Sequence, residues 1–212
     1  MDGATLKTLT EDILGGRSIG ETLFYQLLNI ARVNREMKRP WVILRYVDSS
    51  QTISASDGIT NTKSLPSGFL MTFNSMRSDG NRTALHLQNG DDDRYPLEIP
   101  FGTQQEQKDD DDLFFINLAS SVFALTGTRD KSYTAYLNYI KNSGDIASSS
   151  QWVFPSGFHA ILAYDVAAMH KGGIDYDDVN ARMTPENRAT AQAIVASMVK
   201  WDDTLLRNSL GV

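Results

Sequence analysis

Residues 18–41 read SIGETLFYQLLNIARVNREMKRPW, and the reading of this stretch decides the fold. Across 21–38 the apolar residues Leu23, Phe24, Leu27, Leu28, Ala31 and Met37 recur at three- and four-residue steps, while Arg32, Arg35, Glu36 and Lys38 sit among polar positions. That is the period of an amphipathic helix in need of a partner. Ser18 and Glu21 have capping-box spacing, which predicts that their side chains satisfy the first amides of that helix. Pro40 forbids continuation and biases Arg39 towards an extended backbone, so Trp41-Val42-Ile43-Leu44 is expected to follow as an apolar strand or anchor.

Upstream, 5–14 reads as a short helix with Leu6, Leu9, Ile13 and Leu14 on one side, ended by Gly15 and Gly16. Downstream, 41–140 changes character, with short β-prone runs separated by turn residues, which predicts a small antiparallel sheet. Its expected strands are 52–55, 70–74, 85–88, 113–117, 122–125 and 132–140, the last with Tyr133, Ala135, Leu137 and Tyr139 on one face. Asp91 to Asp93, and 103–112 with its four terminal aspartates, read as solvated loops. A Ser-, Gly- and Asn-rich linker at 142–150 leads back to helical sequence, first 156–170 behind Pro155 and then a last helix behind Thr184 and Pro185, running to about Arg207. The expected class is therefore α+β, a four-helix core (two N-terminal and two C-terminal helices) with an inserted small antiparallel β-region. In this reading 1–212 is one domain, in which a β-rich insertion, 41–141, separates helical segments 5–38 and 155–207.

The chain has 212 residues, 41% hydrophobic and 22% charged, enough for one sizeable core. A formal charge of −6 argues against a protein that grips nucleic acid, although an acidic surface suits the lining of a passage through which DNA slides. With no cysteine, disulfides, thiolate zinc sites and cysteine nucleophiles are excluded. The first residues lack the basic flank and apolar run of a secretory signal, and the longest apolar runs fall short of a membrane span, so a soluble, non-exported protein is expected.

No catalytic constellation emerges. The aspartate runs lack the alternating ligands, mid-loop glycine and terminal glutamate of an EF-hand. His86, His159 and His170 show no convergent spacing; the last two are eleven residues apart and read as helix-surface groups. Ser67 and Ser156 follow prolines and lack the flanking glycines of a nucleophile elbow. Both Pro-Ser-Gly-Phe segments read as turns that set a buried aromatic into the core. No enzyme activity, cofactor or metal is expected.

The order of features carries more than any one motif. A helix ending at Arg39-Pro40-Trp41, the turn Leu65-Pro66-Ser67-Gly68-Phe69, a tyrosine-bearing strand Tyr133 to Ile140, and Phe154-Pro155 with two further helices together resemble the head-to-tail adaptor (connector) proteins of tailed bacteriophages. The resemblance spans nearly the whole chain, with the acidic stretch between Asp91 and Asp112 as a departure. It implies a structural virion protein at the head-tail interface, made in the host cytoplasm and assembled as a ring, often a dodecamer, between portal and tail. Such a ring extends the DNA channel, carries DNA only as non-specific cargo, and offers a docking surface to downstream tail or nozzle proteins. Ring contacts would be heterologous. Leu205, Leu206, Leu210 and Val212 give the end of the chain an apolar character and are the expected portal contacts. Two other readings compete: a phage tail-completion or baseplate protein, and, more distantly, a carboxylate-dependent hydrolase using the aspartate stretches.

Overall fold

A computed structural model describes residues 1–55, 61–76, 82–90, 92–101, 113–172 and 184–210. The chain divides into two compact units, 1–44 with 143–212, and 45–142.

In the first unit, α1 (Gly3–Ile13) starts at Asp2, whose carboxylate accepts the Thr5 amide at 2.9 Å. It stops at Gly15 and Gly16, whose φ values of 76° and 77° only glycine adopts freely. The expected capping box of α2 (Glu21–Glu36) does not form. Glu11 of α1 reaches over instead, its Oε1 accepting from the Ile19 amide at 3.1 Å and the Ser18 hydroxyl at 3.3 Å, and the cap position is Gly20. Glu11 thus fixes the approach to α2, whose own cap position offers no side-chain acceptor.

After α2 the apolar run Val42–Leu44 forms one 3-10 turn rather than a strand, with Trp41 and Leu44 buried. The Trp41 indole N–H donates to the Arg35 carbonyl at 2.9 Å, which ties the exit of α2 to its own last turn. Helix α3 (Ala160–Gly172) follows a 3-10 turn at Ser156–Phe158. Helix α4 (Pro185–Leu210) is capped by Thr184, whose hydroxyl accepts the Asn187 amide at 3.2 Å. Buried Ile161, Leu162, Ala163, Val166, Ala167 and Ala168 make α3 apolar nearly all round, and α1, α2 and α4 each pack on it. Edge-on aromatics close the cluster, with Trp41 and Phe154 at 5.3 Å and 87°.

The second unit is built from strands β1 (Arg45–Ile53), β2 (Asn61–Ser64), β3 (Phe69–Thr72), β4 (Ser75–Met76), β5 (Arg82–Thr83), β6 (Leu85–Asn89), β7 (Asp92–Arg94), β8 (Leu97–Glu98), β9 (Leu113–Asn117), β10 (Val122–Leu125) and β11 (Tyr133–Lys141). A five-stranded sheet runs β1-β11-β6-β7, with β3 also on β11; a four-stranded sheet runs β2-β10-β9-β8; β4 and β5 pair separately. Alternate residues Tyr133, Ala135 and Leu137 of β11 turn inward with Ile53, Leu85 and Leu87, and meet Phe114, Phe123 and Leu125 of the second sheet.

The expected fold, four helices around one core with a small antiparallel insertion, is therefore corrected. The β portion is a unit with two sheets and its own core, and β8 pairs with β9 in parallel. The helical unit is organised around α3 rather than as four equivalent helices. The short strands β2, β7 and β8 carry too few alternations to register as a sequence period, which made the insertion look smaller than it is. The two Pro-Ser-Gly-Phe segments do form turns, each with the phenylalanine amide donating to the proline carbonyl, at 3.1 Å for Phe69 and 2.9 Å for Phe158. Gly68 takes φ 76° in the first, whereas the second opens a helix, so one tetrapeptide serves two turn types.

Candidate interaction surfaces

Helix α2 buries part of its expected apolar face, Phe24, Leu28 and Ala31, and leaves Leu23 and Met37 outside. Two of its charged residues also point inward, Arg32 at 1% and Glu36 at 0% exposure. Phe24, Leu28 and Ala31 share that side, while Leu23, Ile30 and Met37 stand 43%, 50% and 48% exposed at seven-residue intervals on the opposite side. No charged residue lies in this outward row; the groups beside it are Gln26, Leu27, Val33 and Asn34.

The inward charges are matched one by one. Arg32 donates to Glu36 Oε2 at 3.0 Å and to Asp145 Oδ1 at 3.0 Å. Glu36 also accepts from the Trp152 indole at 2.9 Å, the Ser143 amide at 3.3 Å and the Ser143 hydroxyl. Arg35 grips Asp165 of α3 with two bonds, 2.5 and 2.6 Å. Burial nevertheless holds the Asp165 carboxyl above the usual carboxylate range, Arg35 opposing that shift. Asp202, 0% exposed on α4, accepts the Val42 amide at 2.7 Å and pairs with Arg39 at 3.0 Å. These carboxylates are each engaged by a structural partner within the unit.

Helix α4 is largely bare. Met198 and Asp202 are its buried residues, and Ala189, Ala193, Ala196, Ser197, Lys200 and Thr204 face out. Of the expected portal contacts, Leu205 and Leu206 are half-buried on the side that carries Met198 and Asp202, Leu210 ends the helix, and Val212 lies outside the described residues.

The histidines separate. His170 is exposed. His159, expected on a helix surface, is 1% exposed and its Nε2 lies 2.6 Å from the Phe154 carbonyl, because the 3-10 turn before α3 folds it under the aromatic cluster. His86 of β6 stacks between Tyr95 and Tyr136 at 5.1 and 5.4 Å, with Asp93 Oδ1 at 3.1 Å from its Nε2. Asp92, read as part of a solvated loop, lies in β7, where Lys131 at 2.7 Å and the Tyr133 hydroxyl at 2.7 Å hold its carboxyl below the usual range. The run 103–112, Asp109 to Asp112 included, lies outside the described residues, as does Asp91. Ser67 and Ser156 are exposed in their turns. Among the described residues no group of three His, Asp or Glu side chains is placed to hold a metal ion.

The β unit carries an open cleft of about 490 Å³ lined by Thr52, Gln88, Asn89, Ser132 and Thr134, hydroxyl and amide groups without an ionisable side chain beyond Tyr133. Its surface also shows Tyr46, Val47, Leu97, Phe101 and Leu118 at 47% to 67% exposure. Among the described residues no helix is long and apolar enough to cross a membrane. Compared with protein-family models and with curated proteins, the chain matches none.

Proposed function

We propose that this chain is a structural virion protein of the head-to-tail adaptor kind, which joins others in a ring between portal and tail, extends the DNA channel and carries no chemistry of its own. The observation that carries the reading is the distribution of large bare apolar side chains: Leu23, Ile30 and Met37 in the helical unit, and Tyr46, Val47, Leu97, Phe101 and Leu118 in the β unit. Isolated exposed apolar residues are ordinary, but a spaced row on one helix, and several such residues on the second unit, suit a subunit whose units are each covered by partners. The buried carboxylates support the same reading, since each is consumed by a structural partner. The order of helix, Pro-Ser-Gly-Phe turn, tyrosine strand and proline-led helix resembles that of head-to-tail adaptors and supports the head-tail junction as the place of assembly.

The test is electron microscopy of the purified chain with the portal of its phage. Rings bound to portal are expected, and isolated particles in every field would overturn the proposal. A net charge of −6 fits a channel lining that does not retain DNA, so the rings should show no salt-dependent DNA binding.

A further inference from the structure

The outward row of α2 is its own mirror image. Counting from Ile30, Leu23 and Met37 stand seven residues to either side, Gln26 and Asn34 four, and Leu27 and Val33 three. Apolar, amide and apolar positions therefore repeat in reverse order about one central isoleucine. An antiparallel copy of the same helix would set Ile30 on Ile30, Leu23 on Met37, and Gln26 beside Asn34, where two side-chain amides can exchange hydrogen bonds. The two helix dipoles would also oppose. A two-fold interface demands this self-complementarity, because residue i meets j and j meets i.

We propose that the free chain pairs with a second copy through antiparallel α2 helices, with the two-fold axis at Ile30. The row is apolar and exposed at 43% to 50%, so pairing removes side chains that water now covers. With only two seven-residue repeats, the contact is smaller than the roughly 1,200 Å² of a standard stable interface, and the pair is weak and reversible. It masks the row in the free protein and must open before any other partner can cover α2. The inference concerns the isolated chain and stands independently of the adaptor reading.

The absence of cysteine makes the test clean. Single replacements are placed in the full chain and oxidised mildly. Ile30→Cys should give a disulfide-linked dimer on its own. Leu23→Cys should not, because its two copies would lie about 21 Å apart along the helices, yet it should cross-link when mixed with Met37→Cys. A complementary variant, Ile30→Glu, should shift the sedimentation equilibrium of the otherwise unaltered chain to monomer. Equal cross-linking of Leu23→Cys alone, cross-linking of Ile30→Cys only to Ala193→Cys on α4, or no dimer in any mixture would each overturn the proposal. Because portal is absent from the experiment, its failure leaves the adaptor reading untouched, and the ring images test that reading separately.

Discussion

The indole N–H of Trp152 donates to a carboxylate oxygen of Glu36 at 2.9 Å, although the two residues lie 116 positions apart. Glu36 is 0% exposed and Arg32, one turn earlier, is 1% exposed, so the pair survives only because Trp152, Ser143 and Asp145 complete its hydrogen bonding. This closure lets α2 bury its charged side and leave its apolar row outside.

Removing one member therefore strands the other. Arg32→Ala or Glu36→Ala should lower unfolding stability by about 3–5 kcal/mol, while Arg32→Ala with Glu36→Ala should cost less than the sum of the two single changes. Denaturant titration of the four proteins measures this; additive losses would show that the pair is not coupled.

Asp165 gives a pH dependence. Its folded carboxyl is held above the ordinary range, chiefly by burial, so the folded state binds the proton more readily than the unfolded chain does. The stability it contributes is complete at acid pH, below the unfolded value, and is lost as pH rises through the folded one. Asp165→Asn should gain relative to the wild type as pH rises across that window, read from unfolding midpoints at several pH values. A relative loss would reverse the sign of the account.

Asp92 behaves oppositely. Lys131 and then Tyr133 hold its carboxyl low, so its contribution is present above the ordinary carboxylate range and disappears as pH falls through the depressed value. Asp92→Asn should be less stable than the wild type near neutral pH, and the difference should close in acid. A difference that stays constant with pH would mean the hydrogen bond to Tyr133 does not depend on the charge.

Gly3 begins α1 hard against the loop at 143–150. A Cβ there would sit 2.3 Å from the Ala147 carbonyl oxygen and 2.9 Å from the Tyr25 ring. Gly3→Ala should cost about 1–3 kcal/mol, because backbone must move. Gly157→Ala, with nothing within 4 Å of its Cβ position, should stay within about 0.5 kcal/mol. Equal effects in thermal unfolding would refute the close approach.

Much of the fold was legible in local sequence. The glycine stop after α1, the Thr184 cap, the Pro-Ser-Gly-Phe turns and the inward alternation of Tyr133, Ala135 and Leu137 each depend on residues near one another in the chain. The orientation of α2 was not legible that way. Its apolar residues occupy both sides, and the choice between sides was made by Trp152, Ser143 and Asp165, far off in sequence, which turned Arg32, Glu36 and Arg35 inward. The seven-residue repeat of Leu23, Ile30 and Met37 was the available signal for the bare row. His159 went inside for a similar reason, its partner carbonyl being set by the turn before α3. Leu205 and Leu206 are half-buried on the side of α4 that carries Met198 and Asp202, as the helical period sets them.

The central claim is that the chain is a subunit whose bare apolar surfaces are covered on assembly, the α2 row among them. The most direct measurement is imaging of the chain with portal, wild type beside Ile30→Glu, after circular dichroism has shown equal folding. Rings from the wild type and none from Ile30→Glu are predicted; equal ring formation by both, or by neither, would contradict it.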